Sequence, residues 1–472
     1  QAAQRMPRQS AARQAAFRAA NEQYGFREYA LHAYTVQFSH SWLGAHIDSN
    51  TVQKLATRAF RAVQQYAFGK KGRPRFKGKG SFDSVESKSN KRGIIWREQA
   101  VRWFGLELPA IIDEKDAVIA HGLNSRVKFV RILRRKLNGR NRFYAQLVCE
   151  GLPYRKTKHP IGKGTVGLDI GPSTIAIVSE ASASLERFCD ALQPHEREIR
   201  KLQRRMDRQR RAGNPQNYNA DGTAKGGARE WHFSLRYFYT RAQLAELHRR
   251  QAAHRASLHG ALVNRVLAQG DVIKLEKLSF RAFQRRFGRS VGFRGPGAFL
   301  VHLKRKAGSA GVRVDEFDPG PTRLSQMCLC GAIAKKPLSQ RWHACGCGVG
   351  PVQRDIFSAW LACYVENGRL DAGQAQSAWP GVDTRLRTAS SAIKPAIGQG
   401  NPSNLATGQS RSSVQSAHGV GEARHGDSFA VPREPTVQPD PPPPPSTSVV
   451  GSGESSATSA TASTKPSNKD AS

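Results

Sequence analysis

Residues 164–180, GTVGLDIGPSTIAIVSE, constrain the fold of this chain more than any other stretch. β-Branched and aliphatic residues dominate it, the pattern of buried strand. Alternation places Val166, Leu168 and Ile170 on one face and Gly167, Asp169 and Gly171 on the other. Pro172 and Ser173 then turn the chain into a second strand, TIAIVS, so the segment reads as a β-hairpin in a buried sheet. One carboxylate, Asp169, interrupts it, between glycines that clear space for something large to approach.

Two further acids stand in related positions. The strand-like QGDVIKLEKLSF reaches Glu276 after Ile273 and Leu275, and PVQRDIFSAWLACYVE begins a helix at Asp355. Ser358, Ala359 and Ala362 follow Asp355 by roughly one and two helical turns, a small-residue face that lets the helix lie close to a sheet. Such packing brings Asp355 against the strand ends that carry Asp169 and Glu276. Taken singly, each acid has a plainer role: a structural strand charge, a solvated strand end, a charge stabilising a helix N-terminus by some tenths of a kcal/mol. Together, with no matching buried base evident, they repel one another unless a cation holds them. Carboxylates suit Mg²⁺ or Mn²⁺. Two such ions about 4 Å apart activate a water and stabilise the leaving oxygen in phosphodiester hydrolysis.

The charge balance names the class of partner. Lys and Arg number 74 against 36 Asp and Glu, a net charge of +38, which calls for a polyanion, and nucleic acid is the usual one. The excess concentrates in GKKGRPRFKGKG, where Gly and Pro prevent regular structure around Lys70, Lys71, Arg73, Arg75, Lys77 and Lys79, a phosphate-contacting loop. It concentrates again in EREIRKLQRRMDRQRR, with Arg204, Arg205 and Arg208. No apolar run of about 18 residues occurs, so nothing is expected to span a bilayer.

Before these segments, DSNTVQKLATRAFRAVQQYAF has helical periodicity behind the N-cap candidates Asp48, Ser49 and Asn50. Residues 125–151 alternate around Asn138-Gly139, a strong hairpin signal, with Lys128, Arg131, Arg134, Arg135 and Lys136 expected on an exposed face. A long second helix, from about Leu235, repeats Leu235, Phe238, Ala242, Ala245, Ala252, Leu258, Leu262 and Val266, so an antiparallel helix pair with one apolar stripe is expected. His248, His254 and His259 along it read as solvent-facing or packing residues. From about Trp379 the periodicity disappears into a Pro-, Ser- and Thr-rich tail, expected to be disordered.

Of seven cysteines, Cys149, Cys189 and Cys363 stand apart, while Cys328, Cys330, Cys345 and Cys347 form two tight pairs. That is a metal clip in a reducing compartment and not a disulfide framework. Four thiolates make a closed, structural Zn²⁺ site, with His343 a conceivable substitute ligand.

The order of an acid on a first hairpin, an acid at a later strand end and an acid on a helix after a cysteine-bearing insert resembles the TnpB family. These are transposon-encoded, RNA-guided DNA endonucleases related to type V CRISPR effectors. The resemblance runs from about Phe26 to Glu366 through GRPRFKGKG, GLDIGPST, REIRKLQRRMDRQRR, IKLEKLSF, TRLSQMCLCG, KKPLSQRWHACGCG and QRDIFSAWLA. It implies an α/β, RNase H-like RuvC nuclease domain over 161–378, with a helical insertion at 190–268 and a zinc ribbon at 323–350. Asp169, Glu276 and Asp355 would take the three acidic positions. A mixed α+β wedge and helical recognition lobe would fill 1–160, and a disordered tail 379–472. The implied partners are a guide RNA encoded near the transposon end and target double-stranded DNA, in the cytoplasm and nucleoid of a prokaryote. Two departures stand out. No wedge strand is legible ahead of the first helices, which leaves a truncated start open as one reading; and the cysteine pairs are Cys-x-Cys where the family commonly has Cys-x-x-Cys. A transposase joining strands at a similar triad, or an RNA-binding zinc-ribbon protein without catalysis, are the alternatives.

Overall fold

A computed structural model of the chain describes residues 6–7, 10–69, 71–78, 80–227, 229–337 and 339–392. Helices α1 (Ala11–Gln23), α2 (Glu28–Thr35) and α3 (Ser49–Ala67) come first. Asp48 starts α3 as expected, its Oδ1 accepting from Thr51 N at 2.9 Å. The strands that follow are β1 (Ser84–Glu86), β2 (Ile95–Arg97), β3 (Ala100–Trp103) and β4 (Leu106–Pro109). After the short helix α4 (Ala117–Leu123) come β5 (Val127–Leu137) and β6 (Arg140–Cys149). They form two antiparallel sheets, β1-β5-β6 and β2-β3-β4, that share an apolar cluster built on Ile94, Val101 and Val130. Trp103 Nε1 donates to Asp48 Oδ2 at 2.9 Å, so the residue that caps α3 also ties it to β3.

The β5–β6 hairpin turns at Asn138 and Gly139, both with positive φ (49° and 78°), as a two-residue turn of this hand requires. Its basic face is less free than the sequence suggests. Arg131 pairs with Glu86 and Arg134 with Asp83, because β1 and the residue ahead of it bring carboxylates alongside β5. The hairpin tip also reaches the helical region: Asn138 N donates to Glu246 Oε2 at 3.2 Å.

The second half is built on one sheet. An antiparallel meander, β7 (Thr165–Ile170), β8 (Thr174–Ser179) and β9 (Ala183–Arg187), leads to the helix pair α5 (Glu196–Ala212) and α6 (Leu235–Leu267). Then come β10 (Val272–Glu276), α7 (Phe280–Arg294), α8 (Pro296–Ala310) and β11 (Arg313–Phe317). The order is β11-β10-β7-β8-β9, with β10 parallel to both β7 and β11. A short helix α9 (Pro319–Thr322), the strand pair β12 (Trp342–His343) and β13 (Val352–Gln353), and helix α10 (Arg354–Ala362) follow. The small pair β14 (Val365–Glu366) and β15 (Arg369–Leu370) precedes the final helix α11 (Ala372–Ser391).

The two faces of this sheet differ. Val166, Leu168, Ile170, Ile175 and Ile177 pack against α6 and α8, through Leu262, Val263, Phe299 and Leu303. The other face, with Ala176 and Val178, packs against α10 and α11. Covering both faces accounts for the near-continuous apolar runs of these strands.

Two expectations need correction. The apolar stripe of α6 serves the core only near its C-terminal end; Leu235 and Phe238 are exposed, whereas Tyr237 and Thr240 are buried. The N-terminal part of α6 runs beside α5 and not over the sheet, so a different arc of the helix is covered there. The boundary of the tail at 379 is also too early. Helix α11 continues to Ser391 with Val382, Leu386 and Ser390 buried, and Pro380, which suggests a break, lies inside it. The rest of the tail, 393–472, lies outside the described residues. Among the described residues no helix is long and apolar enough to cross a membrane.

Candidate active site and metal centre

Gly167 sets the depth of the acidic site. A Cβ built there would lie 1.8 Å from the carbonyl oxygen of Ala359, so only glycine lets the α10 backbone come this close to β7. Asp355 is one helical turn before Ala359, about 5.4 Å along the axis, and Asp169 is two residues beyond Gly167, about 6.6 Å along the strand. The contact therefore brings the N-terminus of α10 alongside Asp169. Glu276 arrives from the neighbouring strand: Leu275 pairs with Leu168, so the next residues, Glu276 and Asp169, share the α10 side of the sheet.

The C-terminal end of α10 is fixed by Lys274, a buried lysine on the same face as Glu276. Its Nζ donates to the carbonyl oxygens of Cys363 at 3.0 Å and Val365 at 2.9 Å, and it pairs with Glu366. The ammonium thus meets the negative end of the helix, while the carboxylates cluster at the positive end.

Electrostatically the acids act as one group. Asp169 is held well above the usual carboxylate range, first by burial and then by the negative charges of Asp355 and Glu276. Burial raises Glu276. The expectation that no buried base accompanies them is wrong for Asp355. Arg341 Nη1 lies 3.6 Å from its Oδ2 and Arg354 Nε 3.4 Å from its Oδ1. Arg354 also donates to the carbonyls of Pro337 at 3.3 Å and Gln340 at 3.1 Å. Arg341 lies between the two cysteine pairs, and a chain read by local pattern gives no sign that it folds back onto Asp355; Arg354 opens α10 beside that acid. The oxygens of the three acids do not all come within 4.8 Å of one another; among the described residues only the four thiols do so as a metal-competent group. What the acids offer a cation is chemistry: hard oxygen donors in a half-buried cluster, two of them, Asp169 and Glu276, without a salt bridge among the described residues.

The thiol cluster closes locally. Cys328 and Cys347 sulfurs are 3.6 Å apart, and those of Cys330 and Cys345 3.7 Å. Zn–S bonds of about 2.3 Å at a tetrahedral centre give sulfur–sulfur edges of about 3.8 Å. The four donors fit that ion. The short Cys-x-Cys spacing is accommodated by two equivalent turns: Gly331 N donates to Cys328 O at 3.0 Å and Gly348 N to Cys345 O at 3.1 Å, each glycine at positive φ. His343 is not part of the cluster. It is buried, stacked on Phe357 of α10 at 4.4 Å, and its Nδ1 faces Lys336 Nζ; burial and that ammonium bring its pKa down to about 4.

Among the basic residues, Arg204 and Arg208 line a cleft of about 340 Å³ on α5 together with Arg197, Arg200 and Lys201. Arg205 is exposed but does not line it. Lys71, Arg73, Arg75 and Lys77 lie exposed on an irregular segment, as the Gly and Pro content leads one to expect, whereas Lys70 and Lys79 fall outside the described residues. His259 is a packing residue, buried against Phe188 and Phe299, its Nε2 2.9 Å from Arg294 O.

No family model matches the sequence, and no curated protein does. Among solved structures, the chain is similar to one in "Cryo-EM structure of the Cas12f1-sgRNA-target DNA complex", with 13% identity and a TM-score of 0.37 over 66% of this chain and 70% of that one. It is also similar to one in "Cryo-EM structure of CRISPR-Cas12f Ternary Complex", with 14% identity and a TM-score of 0.26 over 69% and 73%.

Proposed function

We propose that this protein is an RNA-guided DNA endonuclease of the TnpB type, whose two-faced sheet is an RNase H-like RuvC core. The observation that carries the nuclease part is the convergence of Asp169, Glu276 and Asp355 from three distant segments onto one end of one sheet face. The guide-RNA part is supported by the run of motifs that resemble that family's and by the charge of +38.

Mg²⁺ or Mn²⁺ held by the three carboxylates would supply an activated water and charge stabilisation at the leaving oxygen. The chain's own contribution is placement. Gly167 admits α10, Lys274 anchors its far end, and Arg341 and Arg354 hold the Asp355 carboxylate in the absence of other cations. The exposed cations of α5 and of residues 71–78 supply phosphate contacts without reading sequence, which base pairing with a guide would do. Cys328, Cys330, Cys345 and Cys347 would hold a structural Zn²⁺, which would order the segment that leads into Asp355. A prokaryotic cytoplasm is the compartment that suits free thiols and nucleic-acid partners.

The test is expression with the flanking DNA of its own locus, sequencing of co-purifying RNA, and challenge with plasmids that match or do not match it. Cleavage of the matched plasmid alone, dependent on Mg²⁺, is expected. Absence of a discrete RNA removes the guided part of the reading, and absence of metal-dependent cleavage by the RNA-loaded protein removes the nuclease part.

A further inference from the structure

The first turns of α6 carry an uncovered apolar face. Leu235, Phe238 and Tyr239, three and four residues apart and so on one side of the helix, are 87%, 48% and 65% exposed. Exposed arginines, Arg236 and Arg241, stand beside them. From there a run of rings leads inward: Phe238 lies 6.0 Å from Phe233, which stacks on Tyr237 at 4.4 Å and parallels Trp231 at 6.5 Å and 11°. The Arg210 guanidinium sits 5.4 Å over the Trp231 ring.

Polar side chains hold this tip in shape. The Asn214 amide donates to Arg210 O at 2.8 Å and His232 O at 2.7 Å and accepts from His232 N at 2.6 Å, while Asn217 donates to Glu230 O at 2.6 Å. The exposed rings are thus presented by the first turns of α6, beside a loop end that these bonds hold in place. On the adjoining helix, Arg197, Arg200, Lys201, Arg204 and Arg208 line the basic cleft.

We propose that the tip of the α5–α6 pair is a stacking platform for unpaired bases of single-stranded nucleic acid, Phe238 and Tyr239 taking the bases and the α5 cations the phosphates. Every base has a π-face, so exposed rings bind strands without regard to sequence, while guanidinium and ammonium groups bind by releasing counterions. Charge complementarity selects this occupant. Rings set among arginines, on a chain of +38, match a polyanion whose bases are apolar plates, and they do not match the apolar face of a protein partner. The inference rests on the nucleic-acid reading above and does not require cleavage.

The experiment measures anisotropy of the full chain, without added divalent metal, on oligothymidylate and on an abasic oligonucleotide of the same length. Wild type should prefer the thymidylate by about ten-fold or more, since stacking contributes at each base. F238A/Y239A, which also removes the Phe238 edge contacts to Phe233 and Tyr237 and should melt slightly earlier but as cooperatively as wild type, brings that preference to about one, with abasic affinity and salt slope unchanged. R204A/R208A should do the opposite, weakening both ligands alike and lowering the slope. A preference that survives in F238A/Y239A, or equal loss of both ligands in it, overturns the platform. If wild type binds neither oligonucleotide, the nucleic-acid reading itself falls.

Discussion

The thiol cluster and the acidic cluster both gather metal-ligating residue types, and they are built in opposite ways. The thiols come from residues 328–347, and two glycine-closed turns bring their sulfurs to tetrahedral distances. The carboxylates come from β7, β10 and α10 and meet only because sheet and helix pack at one depth. A local site is specified by spacing; a non-local one is specified by whatever fixes the packing. Here the two are joined: Arg341, which lies between the cysteine pairs, reaches Asp355, and Arg354, which also holds Asp355, donates to the Pro337 and Gln340 carbonyls of the cysteine-bearing segment.

The largest effect should come from breaking the non-local site at its chemistry. Asp169→Ala or Glu276→Ala should abolish Mg²⁺-dependent cleavage while leaving affinity for nucleic acid within a few-fold, since affinity comes from many distributed cations. Cleavage assays beside filter binding check this; an Asp169→Ala protein that still cuts fully sinks the nuclease assignment.

Breaking the local site should reach the other at a distance. The Cys345→Ser/Cys347→Ser protein should fall from one zinc per chain to none by elemental analysis, melt earlier, and cut more slowly, since the segment bearing Arg341 and Arg354 loses its staple. Unchanged cleavage in the zinc-free variant would show that the two sites are energetically separate.

What the sequence disclosed follows the same division. The α3 cap at Asp48, the Asn138-Gly139 turn, the Asp169 hairpin and the paired cysteines are local patterns, and the structure forms each of them. The two glycines around Asp169 serve different ends: Gly167 admits α10, while Gly171 belongs to the turn, its missing Cβ facing Thr174. Arg341 and Lys274 are not legible as site residues, because each acts on a group distant in the chain; Arg354 stands next to Asp355 in the sequence, but its bonds to the Pro337 and Gln340 carbonyls, which fix it there, are made by the fold. Lys274 does leave a trace, the one basic residue in VIKLE, two residues before Glu276 and therefore on its face. The exposed start of the α6 stripe and the late end of α11 were misread for a related reason. Periodicity shows that a helix has an apolar side but not what, if anything, covers each turn of it.

A smaller effect should separate packing depth from chemistry. Lys274→Met fills similar volume but leaves the Cys363 and Val365 carbonyls without their donor, at a cost of about 1–3 kcal/mol, read as a lower urea midpoint at constant slope. Cleavage should fall in part, since α10 is freer to shift at the end opposite Asp355. Full stability in this variant would remove Lys274 as the anchor of that helix.

The smallest effect should come from His343, which tests whether the local site is complete with sulfur alone. His343 lies two residues from Cys345, close enough in sequence to serve as a ligand, yet its ring stacks on Phe357 and its Nδ1 faces Lys336. His343→Phe keeps a flat ring against Phe357 and removes only the nitrogens, so the contact that ties β12 to α10 persists. Zinc content should stay at one per chain and cleavage close to wild type, with a modest drop in melting temperature from the lost partner of Lys336. Loss of zinc in this variant would move His343 into the coordination shell, and the cysteine pairs would then no longer be a self-sufficient site.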